Sequence, residues 1–96
     1  MKAPRDVVGV AGDSIELSCR VGGDPVPQIT WRRIEGGRMP VGRSELVKDR
    51  GLILKPLRVE DAGVYACDAS NKAATVIANA TLIVQSKLSI ITFFLK

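Results

Sequence analysis

The sequence predicts an all-β fold, an antiparallel sandwich of two sheets, from three observations. Short runs of alternating apolar and polar residues recur about every ten residues, with turn signals between them, which is typical of sandwiches and barrels. The chain has 96 residues, enough for one domain with one modest core. Its two cysteines, Cys19 and Cys67, lie far apart, and an even pair in a short all-β chain predicts one disulfide.

Seven segments are predicted to form strands, from their alternating apolar residues or from the turn signals that bound them. They span residues 7–10, 14–21, 28–33, 38–48 (as short edge strands), 51–57, 64–69 and 74–84. Because side chains alternate between the two faces of a strand, the pattern assigns one face of each strand to the core. The residues predicted to point inward are Ile15, Leu17, Cys19, Val21, Ile29, Trp31, Leu52, Leu54, Leu57, Tyr65, Cys67, Ala69, Ala80, Leu82 and Val84.

An ordered set of residues identifies the kind of sandwich. The set is Cys19, Trp31, Asp61, Gly63, Tyr65 and Cys67, in that order along the chain. In an immunoglobulin sandwich two cysteines bridge opposite sheets, a tryptophan packs on the bridge, and a tyrosine two residues before the second cysteine bonds back to nearby backbone. Asp61 and Gly63 are predicted to form the turn before that tyrosine. The expected fold is therefore an immunoglobulin-like β-sandwich with one inter-sheet disulfide.

The chain resembles the intermediate-set (I-set) immunoglobulin domains of cell-adhesion and axon-guidance receptors over about residues 3–85. The run from Val21 to Trp31, followed by Glu35-Gly36 and closed by residues 82–84, is most similar to the third immunoglobulin domain of Roundabout receptors. The resemblance implies an extracellular module of a plasma-membrane receptor, which acts in protein–protein recognition or as a spacer between binding domains. Its implied partners are protein ligands or receptor ectodomains. No ligand-binding residue of the family is carried onto this chain.

The net charge of +4 comes mainly from one stretch of the chain. Its basic residues are Arg32, Arg33, Arg38, Arg43, Lys48 and Arg50. A basic edge of this kind is able to contact an acidic glycan such as heparan sulfate. The simpler interpretation is a solvated face that keeps an edge strand from pairing with a neighbour. Because no aromatic residues are interleaved with these charges, we expect no binding to nucleic acid.

Asn79-Ala80-Thr81 is a sequon for N-glycosylation. Since the strand pattern points Ala80 inward, Asn79 is expected to point outward, where a glycan is accommodated. The alternative is that this three-residue pattern occurs by chance.

The sequence predicts a binding module and no enzyme. It contains no histidine, which removes the commonest general base and the commonest metal ligand. Its glycine pairs lie in turns and do not form a phosphate-binding loop. We therefore expect no cofactor and no metal.

The last residues, 86–96, form an apolar tail that we expect to lie outside the domain. The first residues lack the apolar core of a signal peptide, so the chain is expected to be a fragment of a longer protein. Three other interpretations stay open. They are a structural module of an intracellular muscle-filament protein with reduced cysteines, a heparan-sulfate-binding module, and a truncated soluble decoy isoform that ends in the tail.

Overall fold

The structure is a computed structural model that describes residues 6–19, 21–47 and 51–86. Within these residues the chain forms seven strands and one short 3-10 helix, Val59–Asp61. The strands are β1 (Val7–Val10), β2 (Ile15–Leu17), β3 (Gln28–Glu35), β4 (Ser44–Val47), β5 (Gly51–Leu54), β6 (Gly63–Ser70) and β7 (Thr75–Gln85).

The strands form two sheets, with the orders β1–β7–β6–β3 and β2–β5–β4. This arrangement confirms the predicted all-β sandwich. One pair differs from the expected antiparallel pattern, because β1 runs parallel to β7 with Val7 opposite Leu82. After Val10 the chain crosses to the other sheet to form β2, and β1 is left to cover the edge of the last strand.

Alternating apolar residues from both sheets fill the space between them. Twelve of the fifteen residues predicted to point inward are buried: Leu17, Cys19, Val21, Ile29, Leu52, Leu54, Leu57, Tyr65, Cys67, Ala69, Ala80 and Leu82. Each fully buried leucine stabilises the fold by about 1.5–3 kcal/mol relative to an exposed one. Ile15, Trp31 and Val84 are only partly buried, because the first and last lie near strand ends and Trp31 is on the edge strand β3.

Three strand boundaries differ from the sequence prediction. β2 is shorter than 14–21, although Cys19 and Val21 beyond it are still buried. β5 ends at Leu54 and does not reach residue 57, because Pro56 has no N–H to donate to a ladder. Within the span 38–48, predicted as short edge strands, the described residues contain one strand, β4, preceded by turns. Lys48, Arg50 and residues 87–96 of the tail lie outside the described residues, and the limits 3–85 stay a prediction.

Candidate functional site

The predicted disulfide joins Cys19, just after β2, to Cys67 on β6 and so links the two sheets. Both cysteines are 1% exposed. The bridge connects residues 48 positions apart, and a closed loop of this length stabilises a fold by roughly 2–4 kcal/mol through its restriction of the unfolded chain. Trp31 lies opposite Cys67 in the ladder between β3 and β6. It packs against two groups of buried residues, one around the disulfide and one around Leu52 and Tyr65. These three residues therefore hold the scaffold together.

Trp31 also borders the open side of the sandwich. A cavity of about 410 Å³ opens to solvent there, lined by Thr30, Trp31, Met39, Ser44, Glu45, Leu46 and Leu52. The cavity exists because β3 and β4 are edge strands of opposite sheets and no strand closes the gap between them in the described structure. Among the described residues of its lining Glu45 is the one ionisable side chain, so this lining offers no pair of titratable groups for acid–base catalysis.

A cluster that we name the Asp61 corner contains a polar network formed by Arg33, Arg43, Arg58, Asp61 and Tyr65. Both oxygens of the Asp61 carboxylate accept hydrogen bonds at 2.7 Å from the two Nη atoms of Arg43. The backbone N–H of Arg58 donates to the same carboxylate at 2.9 Å. Because Asp61 is only 1% exposed, this two-pronged ion pair satisfies a charge that would otherwise be costly to bury.

These contacts set the ionisation of the corner. Burial by itself would raise the pKa of Asp61, but the hydrogen bonds from Arg43 and from the Arg58 backbone outweigh burial and lower that pKa below its ordinary value. The hydrogen bond to Asp61 likewise raises the pKa of Arg43. Asp61 is therefore an ionised structural anion at neutral pH, and its carboxylate is held by three hydrogen bonds from Arg43 and Arg58.

Tyr65 and Arg33 complete the corner. The buried Tyr65 hydroxyl donates a 2.7 Å hydrogen bond to the carbonyl of Asp61, and burial raises the pKa of this phenol. The Arg33 guanidinium lies 5.4 Å from the centre of the Tyr65 ring. Its Nη2 donates to the backbone carbonyls of Glu60 and Ala62 at 2.6 Å, and its Nη1 donates to the backbone carbonyl of Arg38 at 3.1 Å. Arg33 thus joins the turn after β3 to the turn before β6.

Gly63 is required where these two turns meet. Its φ angle is +153°, in a region that side chains of L-residues avoid. A Cβ atom at this position would overlap the carbonyl oxygen of Glu35 on β3. The glycine predicted for the turn therefore permits a close approach of two backbones.

The exposed counterpart of the corner is the outer face, the side of sheet β1–β7–β6–β3 that points away from the other sheet. Arg32 on β3 contacts Asp68 on β6 with an Nε–Oδ2 distance of 2.7 Å. Their side chains are 51% and 24% exposed. Arg32, Ala66 and Asn79 form one row across the ladder, and the Asn79 side chain is exposed.

The structure divides the predicted basic contact into two groups. Arg33 and Arg43 belong to the Asp61 corner, where backbone carbonyls and a buried carboxylate occupy their guanidinium groups. Arg32 and Arg38 are exposed. Lys48 and Arg50 lie outside the described residues. A contact between these residues and heparan sulfate stays a prediction, now centred on Arg32 and Arg38.

Sequence reasoning missed the structural roles of Arg33 and Arg43. A signal was present for Arg33, because the alternation that points Ile29 and Trp31 inward also points residue 33 inward. For Arg43 the strand pattern offered no comparable signal, since its partner Asp61 lies 18 positions away.

The described residues contain no group of three or more metal-ligating side chains close enough to hold an ion. They also contain no helix of the length and apolarity needed to cross a membrane.

Comparison with known proteins also identifies an immunoglobulin domain. The model of the immunoglobulin I-set domain matches residues 1–84. Protein sax-3 of Caenorhabditis elegans is 44% identical over 84 residues, which cover 86% of this chain and 6% of that protein. Roundabout homolog 1 of Homo sapiens is 36% identical over 85 residues, 88% of this chain and 5% of its own length. The predicted resemblance to the I-set and to Roundabout receptors is confirmed.

A solved structure is similar as well. The titin M10–obscurin-like 1 immunoglobulin complex contains a chain with a TM-score of 0.77 and 33% identity, over 90% of this chain and 91% of that chain. The present chain spans only 4–8% of the curated relatives it matches. The comparisons therefore concern one domain of much longer proteins.

Proposed function

The chain belongs to the immunoglobulin I-set family, and on that premise we propose that it is one extracellular module of a cell-surface guidance or adhesion receptor. The Cys19–Cys67 bridge is the single observation that carries this proposal. Disulfides persist in oxidising compartments and are rare in the cytosol. The similarity to sax-3 and Roundabout homolog 1 supports the same assignment.

The mechanism that we propose is recognition or spacing, without catalysis. The carboxylate of the Asp61 corner is held by three structural hydrogen bonds, and the described lining of the cavity beside Trp31 has no acid–base pair. Exposed strands and loops on a rigid sandwich are the places where such modules contact other proteins. The partners are protein ligands or neighbouring receptor ectodomains, with Arg32 and Arg38 as a second contact for heparan sulfate.

Surface staining of the source cells tests the extracellular assignment. An antibody against the folded domain should label intact cells and cells opened with detergent equally well. The same antibody absorbed with the purified chain is the control and should label neither. Labelling that appears only after the membrane is opened would contradict the proposal.

The second candidate is a structural module of an intracellular filament protein. The observation in its favour is the titin M10–obscurin-like 1 complex, whose matching chain has nearly the same extent as this one. In that setting Cys19 and Cys67 would be reduced, and the bridged form would not occur in the cell.

A further inference from the structure

The sequon asparagine lies within an exposed apolar strip, which we define as Val8, Ile77 and Ile83. Ile77 is two residues before Asn79 and Ile83 is four residues after it, so all three project from the outer face of β7. Val8 on β1 lies opposite Ile83. The three aliphatic side chains are 58%, 55% and 50% exposed, in chain order. We propose that Asn79 carries an N-linked oligosaccharide and that this glycan covers the apolar strip.

The position leaves room for a bulky group. Asn79 itself is exposed, and its neighbour across the ladder on β6 is Ala66, a small residue that the surrounding side chains bury completely. On the other flank of β7, the backbone N–H of Thr81 donates a 2.9 Å hydrogen bond to the Asp6 carboxylate, and the pairing with β1 begins at Leu82. No strand within the described residues therefore crowds Asn79 from that side. Thr81, the hydroxyl residue of the sequon, shares the outer face with Asn79.

The spacing allows one attached glycan to cover the strip. Alternate residues of a strand lie about 7 Å apart, so Ile77 is adjacent to Asn79 and Ile83 is about 13 Å away. N-linked glycans are bulky and solubilising. An oligosaccharide anchored between the two isoleucines would place sugar rings over both side chains and over the neighbouring Val8.

Covering by a second copy of the chain is less well supported. Stable protein interfaces bury about 800 Å² from each partner. Three half-exposed aliphatic side chains offer much less apolar surface than that. Between Ile77 and Ile83 lie Asn79 and Thr81, whose polar groups would lose water in a dry interface.

A glycan here would also protect an open sheet edge. The segment Thr75–Ala80 is rich in residues that favour strands, and β1 does not pair with it in the described structure. Unpaired edges of this kind are templates for association with other strands. A covalent group on Asn79 would sterically block an approaching strand.

The chemistry is a standard transfer from a lipid pyrophosphate-linked oligosaccharide. The bond between C1 of the first N-acetylglucosamine and the pyrophosphate oxygen breaks. A new bond forms between that C1 and Nδ2 of Asn79, which loses one proton, and the lipid pyrophosphate leaves. No oxidation or reduction takes place.

The inference rests on the extracellular part of the proposed function, and the first experiment separates the two. The full chain is secreted from mammalian cells behind an added signal peptide, and its intact mass is measured before and after treatment with peptide N-glycosidase F. We expect glycan mass that this enzyme removes, with aspartate left at position 79. Because secretion is imposed, an unmodified Asn79 in the folded, secreted chain would overturn the site and leave the surface-staining test untouched.

Variants of the sequon provide matched controls. Thr81→Ser keeps the sequon and should retain the glycan, whereas Thr81→Ala should lose it completely. Thr75→Ala makes the same substitution on the same strand outside the sequon, and it should leave glycan occupancy unchanged. A glycan that survives Thr81→Ala would overturn the assignment to Asn79.

The covering role is tested on folded protein. When the chain is secreted in the presence of kifunensine its glycans stay high-mannose, and endoglycosidase H then trims them to one sugar without unfolding the chain. Asn79→Gln removes the glycan entirely. We expect the intact glycoprotein to stay monomeric in sedimentation experiments, and Asn79→Gln to self-associate with rising concentration and to bind more bis-ANS. Trimmed protein should fall between them.

The strip itself is tested by adding Ile77→Ser and Ile83→Ser to Asn79→Gln. This triple variant should return to the monomer and lose the added dye binding. The tail is present in every variant, so its contribution cancels. Asn79→Gln protein that is as monomeric and as weakly dye-binding as the glycoprotein would overturn the covering role. Association of the intact glycoprotein through this strip would also overturn it, in favour of a second copy.

Discussion

The Asp61 corner and the outer face each contain an arginine–aspartate pair with a closest distance of 2.7 Å, but their surroundings are opposite. In the corner, Arg43 and Asp61 are 14% and 1% exposed, and both carboxylate oxygens are bonded. On the outer face, Arg32 and Asp68 are 51% and 24% exposed, and the buried Oδ1 of Asp68 has no hydrogen-bond partner in the described structure. Residue type and distance alone therefore do not distinguish a residue that holds the fold from one that is available to partners.

The largest expected effect comes from Asp61→Asn, which leaves Arg43 without its charge partner in a mostly buried site. Loss of one member of a buried pair costs about 3 kcal/mol or more. The free energy of unfolding, measured by urea titration, should fall by that amount. The matched control is Asp68→Asn, which should cost at most about 1 kcal/mol because its partner Arg32 is half exposed to solvent. Equal losses in the two variants would remove the distinction between the regions.

Tyr65→Phe should have an intermediate effect. The substitution keeps the ring in the core but removes the donor to the buried Asp61 carbonyl. An unmade hydrogen bond at a buried acceptor costs about 1–2 kcal/mol. A loss of unfolding free energy of this size, seen as a lower urea midpoint with an unchanged slope, would show that the Tyr65 hydroxyl bond stabilises the corner. An unaltered midpoint would show that the hydroxyl bond does not stabilise the fold.

Lowering the pH should reduce the free energy of unfolding through Asp61, but by less than the two substitutions above. Because the folded-state pKa of Asp61 is lowered, its ionised form adds stability above the unfolded-state pKa of about 3.9, and this contribution is lost as pH falls through the folded-state pKa. Burial of the carboxyl offsets part of the gain, so the change should be smaller than that of Asp61→Asn. Unfolding free energies between pH 6 and pH 2 should decline less steeply in Asp61→Asn than in the natural chain. Parallel curves would contradict this account.

The smallest effect on stability is expected for Arg32→Gln with Arg38→Gln, both at exposed positions. This double variant should leave a heparin column at lower salt than the natural chain, because polyanion contacts are lost. Lys55→Gln with Lys72→Gln removes the same charge at other exposed sites and is the control. Identical elution of the two double variants would show that only net charge governs retention, and the proposed contact would be abandoned.

Much of the scaffold could be predicted from the sequence. Its strands show a local alternation of apolar and polar residues, and its key residues follow a fixed order along the chain. The alternation around Leu17 and Leu54 located core strands, and the order Cys19, Trp31, Cys67 identified the sandwich and its bridge. The parallel pairing of β1 with β7 could not be predicted, because alternation within a strand carries no information about the direction of its neighbour.

The surface was harder to predict, and the basic stretch shows why. Charge composition grouped Arg32, Arg33 and Arg43 as one contact, but strand direction and partners distant in sequence separate them. Arg33 turns toward Tyr65, and Arg43 reaches Asp61 across the fold. Only contacts in three dimensions reveal which guanidinium groups are already occupied. The basic residues left to test as contacts are Arg38, which is exposed, and Arg32, which pairs with Asp68 but stays half exposed.

The proposal that this chain is an extracellular receptor module is tested by the redox state of Cys19 and Cys67 in protein taken from its own cells. Cells are lysed in an alkylating reagent that traps free thiols, and the intact mass of the protein is compared with and without prior reduction. We expect both cysteines to resist alkylation until they are reduced, because a receptor ectodomain matures with its disulfide formed. Two cysteines alkylated without reduction in a folded protein would contradict the extracellular assignment and favour the intracellular filament module.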